Sequence, residues 1–75
     1  MSIAQRIEHA FLEGERAVRF SVLAERLYPD KQSWRYSANG GPPGCYISLA
    51  SALRRHKIKD YRDQHGVRYV VKPTR

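Results

Sequence analysis

The sequence predicts an α+β domain, with three helices and a small two- or three-stranded antiparallel sheet in the order α-β-α-α-β-β. Three observations predict it. Apolar residues recur at helical spacing in two segments before Pro29, on either side of a short β-prone stretch. A third such segment follows Pro42-Pro43-Gly44. The remainder alternates around a glycine turn, as a hairpin does. Two strands alone are marginal in water, so the hairpin needs a third partner.

The first helix is expected over about residues 2–13. Ser2-Ile3-Ala4-Gln5 reads as a capping box, with Ser2 as N-cap and Gln5 three residues on. Ile3, Ile7, Ala10 and Phe11 form its stripe, and Gly14 can take the left-handed conformation that closes it. Arg6, Glu8 and Glu13 make an outer face of mixed sign. Ala17-Val18-Arg19-Phe20 then suggests a strand over about 17–20, which is the candidate third partner for the hairpin. Ser21 is expected to cap a second helix, over about 21–28, burying Leu23, Ala24 and Leu27. Pro29 stops it, because a proline disfavours helical geometry in the residue before it.

Residues 29–43 read as a loop, marked by Asn39-Gly40, Gly40-Gly41 and Pro42-Pro43. Fifteen residues is long for so small a domain, and long loops are usually functional or mobile. Within it, either Trp34 or Tyr36 plugs the core, or Arg35 and Tyr36 meet a sugar-phosphate backbone.

The third helix is expected over about 44–56, with Pro42 or Pro43 in its first turn. Tyr46, Leu49, Ala50 and Leu53 fall on one side, and Ser48, Ser51 and Arg55 on the other, with Arg54 at its margin. The outer face is short, hydroxylated and basic. It suits either solvent or a groove about 12 Å wide. The hairpin is expected over 58–71. Asp63-Gln64-His65-Gly66 makes the turn, and Gly66 supplies a positive φ. Val67, Tyr69 and Val71 share one face, while Arg68 and Val70 point to the other. Pro73 ends the sheet.

Residues 1–75 read as a single domain, too short for a large core; a chain this size buries roughly 60–65% of its extended surface. Apolar content of 41% and charged content of 28% are ordinary for a globular chain. No apolar run spans a membrane. No secretory signal is visible, and the lone Cys45 has no partner for a disulfide. The expected location is therefore the cytoplasm, associated with the nucleoid if the source is bacterial.

Charge is unevenly placed. The chain carries +7 overall. Residues 1–30 hold four Lys/Arg against five Asp/Glu, a net −1, whereas residues 31–75 hold ten against two, a net +8. A positive field confined to one half is the mark of a polyanion-binding surface.

Catalytic and metal-binding patterns are not recognisable. Cys45 and His56 lack a third orienting group. His9, His56, His65 and Cys45 match no zinc spacing. Gly40-Gly41-Pro42-Pro43-Gly44 lacks the Gly-Lys-Ser/Thr ending of a phosphate loop. Neither an enzyme nor a cofactor, metal or small-molecule substrate is expected.

With this element order, with Ser21-Val22-Leu23-Ala24-Glu25-Arg26-Leu27 before the connection, and with Ile47 to Arg55 running into a basic hairpin, the chain resembles the winged helix-turn-helix family over about residues 2–72. It departs from the family in the length of the connection between its second and third helices. The resemblance implies that the third helix enters the major groove and that the hairpin, or wing, touches the neighbouring backbone or minor groove. Carried over, Ser48, Ser51, Arg54 and Arg55 face base edges and phosphates, and Lys59, Arg62, His65 and Arg68 sit on the wing. Lys57, Arg35 and Tyr36 complete the candidate contacts. His65 is either a neutral turn residue or a contact that gains charge beside phosphate.

The expected function is sequence-preferring binding of double-stranded DNA by a small transcriptional regulator. So short a domain covers few base pairs, which leaves room for a homodimer or a protein partner. The alternative is a protein–protein adaptor docking through the Trp34 loop. A third possibility is single-stranded nucleic acid stacked on Tyr36 or Tyr61.

Overall fold

A computed structural model describes residues 2–30 and 43–73. It has three helices and a three-stranded antiparallel sheet, ordered α1 (Ile3–His9), β1 (Ala17–Arg19), α2 (Phe20–Leu27), α3 (Gly44–Arg55), β2 (Asp60–Arg62) and β3 (Arg68–Val71). Most of the expected loop, with Trp34, Arg35 and Tyr36, lies outside the described residues.

The capping box forms as read. The Gln5 backbone N–H donates to Ser2 Oγ at 3.2 Å, and Gln5 Oε1 accepts from the Ser2 N–H at 3.0 Å. α1 nevertheless ends at His9, well short of residue 13. Phe11 turns into the core, and the Leu12 N–H is taken by the Glu15 carboxylate at 2.7 Å. The Glu15 N–H returns to the Leu12 carbonyl at 3.1 Å, closing a separate turn. Gly14, at φ +85°, serves that turn and not the helix end.

α2 also begins differently. Its N-cap is Arg19, with no side-chain cap hydrogen bond, so Ser21 is inside the first turn and caps nothing. Phe20 is the first helical residue, not the last of β1. Its ring is buried, and packing of that ring outweighs the local preference of serine for a cap. The helix does stop ahead of Pro29, with Tyr28 at φ −128° and ψ 73°.

α3 is capped by Pro43, which sits just outside the first turn. Its C-terminus closes as a Schellman motif. The Ile58 N–H donates to the Leu53 carbonyl at 2.9 Å, and the Lys57 N–H to the Arg54 carbonyl at 3.3 Å. Lys57 takes φ +55°, the one non-glycine residue with positive φ among the described residues.

The strand order is β1-β3-β2, so β1 is the hairpin's third partner, with Val18 opposite Val70 and Arg19 opposite Tyr69. In the β2–β3 turn, Asp63 Oδ1 accepts from the His65 and Val67 N–H groups at 2.8 and 3.0 Å, and Gly66 stands at φ +80°. The inward face carries Val18 and the fully buried Val70; the outward face carries Arg19, Tyr61 and Tyr69. Tyr61 and Tyr69 stack there, with centroids 5.4 Å apart.

One core joins these layers. Ile7 and Phe11 meet Phe20, Leu23, Ala24 and Leu27 of α2, Leu49, Ala52 and Leu53 of α3, and Val18 and Val70 of the sheet. Two arginines tie α1 to α2 from outside. Arg6 donates to the Leu27 carbonyl at 3.1 Å, and Arg26 bridges the Ala10 carbonyl at 3.1 Å and Glu15 at 2.6 Å. No helix among the described residues is long and apolar enough to cross a membrane.

Candidate functional site

The stripe that buries Leu49, Ala52 and Leu53 fixes the rotation of α3, and so decides what its other side presents. At about 100° per residue, Ser51 and Arg54 stand within about 40° of Ile47, and these three point away from the core. Ile47 is 54% exposed. The β hairpin rises beside this face. β2 and β3 pair Arg62 with Arg68 on the same side of the sheet as Val70.

The result is a groove of about 610 Å³ between three elements. Phe20 and Ser21 contribute from the start of α2; Tyr46, Ile47, Ala50, Ser51 and Arg54 from α3; Arg62 and Arg68 from the hairpin. Its floor is apolar, and Tyr46 meets Phe20 edge to face with centroids 5.0 Å apart.

The three arginines are held differently. Arg68 Nε donates to Asp60 Oδ2 at 2.6 Å while its guanidinium lies over the Phe20 ring. Arg62 Nη1 donates to the Gly66 carbonyl at 2.9 Å, which steadies the side chain without neutralising it. Arg54 is exposed, and its guanidinium has no ion pair or hydrogen bond with another described residue. Among the described residues, three guanidinium groups and no carboxylate line the groove, and the ion pair from Arg68 to Asp60 offsets one of the three, which leaves the groove cationic. Such a site holds an anion with planar, multiply donating groups.

Of the residues named from the sequence, Ser51, Arg54, Arg62 and Arg68 meet here. Ser48 and Arg55 are exposed but stand about 80–100° round from Ile47, on the flank away from Tyr46. Lys57 follows the helix in its left-handed turn. Strand alternation carries Lys59 to the face of Tyr61, opposite Arg62. His65 is exposed at the tip of the turn. Arg35 and Tyr36 lie outside the described residues.

Phe20, Ser21 and Ile47 belong to the groove without having been singled out. For Ile47 a signal existed: a bulky β-branched residue left off the buried stripe of α3. For Phe20 and Ser21 none did, since the start of α2 lies more than twenty residues from α3 in sequence.

Cys45 and His56 occupy opposite ends of α3, about 16 Å apart along the axis, too far for a nucleophile and its base. Cys45 is buried, and burial pushes its thiol above the ordinary range. Among the described residues no three His, Cys, Asp or Glu side chains gather as metal ligands would.

Comparison of the chain with protein-family models, with curated proteins and with solved structures found no match.

Proposed function

We propose that this chain binds double-stranded DNA with sequence preference, as a small transcriptional regulator of the winged helix-turn-helix type. The observation that carries the proposal is the convergence of Arg54 from α3 with Arg62 and Arg68 from the hairpin on one groove. A helix and a neighbouring hairpin that share a cationic groove suit a duplex, whose phosphate ridge passes between two grooves. α3 then lies in the major groove with Ile47, Ser51 and Arg54 foremost, and the hairpin meets the adjoining backbone. The arginines neutralise phosphates and release counterions, which supplies most of the affinity; side chains of α3 add base preference. The location expected on this proposal is the cytoplasm, and occupancy of a palindromic site calls for a homodimer or a protein partner.

The test is fluorescence anisotropy of labelled duplex DNA over a range of salt. With about six phosphates engaged, log K falls against log salt with a slope near −5. Arg54→Ala and Arg62→Ala each shallow the slope by about one. A duplex affinity insensitive to salt and to both substitutions rejects the proposal.

A further inference from the structure

Ile47 is the one large apolar side chain exposed on α3 and stands in the middle of its outward face. Its neighbours there are short: Ala50 and Ser51 one turn on, with the cationic Arg54 beyond them. Nothing in the core requires an isoleucine at this position, since Cys45, Leu49, Ala52 and Leu53 already fill the buried side. A single exposed apolar residue is unremarkable by itself. Here, however, it continues the apolar floor formed by Phe20, Tyr46 and Ala50 and is flanked by the groove's arginines.

We propose that Ile47 reads the C5 methyl group of thymine, making an A·T pair the preferred step opposite the first turns of α3; this rests on the duplex-binding function proposed above. The chemistry is narrow. Thymine is the one base that presents an apolar group in the major groove, and side chains without hydrogen-bonding atoms recognise it by contact. Isoleucine has no donor or acceptor, so it cannot distinguish the other base edges except by leaving their polar groups unpaired. Arg54, about 20° from Ile47 on the helix and two turns along, is free to take the flanking phosphate or a guanine edge. Ser51 is short enough to let Ile47 reach the base.

The experiment begins with duplexes selected from a random pool by the full chain. Each thymine is then replaced in turn by deoxyuridine, which removes only the methyl group. At one or two positions the replacement weakens binding about threefold to fivefold, the effect of exposing one buried methyl group. With Ile47→Ala the same uracil duplexes bind as tightly as the thymine duplexes, while Ile47→Val keeps part of the discrimination. Thermal denaturation of both variants matches the parent, because the residue is exposed. If uracil is tolerated everywhere by the parent, or if its cost persists in Ile47→Ala, the thymine assignment fails although duplex binding stands. If the chain selects and binds no duplex at all, both proposals fail together.

Discussion

The guanidinium of Arg68 lies 4.5 Å from the centroid of the Phe20 ring. One residue is in the central strand of the sheet and the other opens α2, so this contact joins two elements across the floor of the groove. Asp60 holds the same guanidinium from the neighbouring strand. Arg68 is thus fixed on two sides, whereas Arg54 reaches out from α3 with no described partner.

That difference separates stability from binding. Arg68→Ala loses a cation–π contact and a partly exposed ion pair, together about 1–2 kcal/mol. Arg54→Ala leaves the unfolding free energy within about 0.5 kcal/mol of the parent. Both lower duplex affinity. Urea unfolding alongside DNA anisotropy distinguishes them: two losses for Arg68, one for Arg54.

Lys57 is expected to trade stability for charge. At φ +55° an L-residue is strained, and glycine is the usual occupant of this position in a Schellman motif. Lys57→Gly therefore stabilises the fold by about 0.5–1 kcal/mol. It also removes an exposed cation next to α3, so duplex affinity drops and the salt slope shallows by about one. Opposite signs in the two measurements are the expected outcome.

The pairing of Glu15 with Arg26 makes part of the stability pH-dependent. The hydrogen bond from Arg26, helped by the Leu12 N–H, holds the Glu15 carboxyl below its ordinary value. The folded chain binds that proton less readily than the unfolded chain. The contribution is therefore complete above the ordinary carboxylate range, near about 4.3, and is lost as pH falls through the lowered value. Glu15→Gln lacks this dependence. The gap in thermal midpoint between parent and variant closes on acidification.

Cys45 is expected to be unreactive while the chain is folded. Its side chain is 3% exposed, and burial keeps the thiol protonated at neutral pH. A thiol reagent labels it about a thousandfold or more slowly than in the urea-unfolded chain, tracking the unfolded fraction. Labelling at comparable rates in both states contradicts the described packing.

Sequence alone was sufficient where the chemistry is short-range. Ser2 and Gln5 complete each other within one turn, Pro29 restrains Tyr28, and Gly66 allows the turn that registers β2 on β3. Val18, being the centre of the only other β-prone stretch, had to supply the third strand. Apolar spacing set the boundaries of α3 to within a residue of Gly44–Arg55. Tertiary packing decided the rest. Burial of Phe11 and Phe20 ended α1 early and began α2 early, overriding Gly14 and Ser21. It also chose the inward face of the sheet, because alternation alone separates Val70 and Arg68 from Tyr69 without saying which pair faces α2 and α3. From that choice follow Arg62 and Arg68 in the groove and Lys59 outside it. The physical reason is range: caps, prolines and turns act over a few residues, whereas the groove joins side chains far apart in the chain that meet only after a shared core has set the rotation of each element.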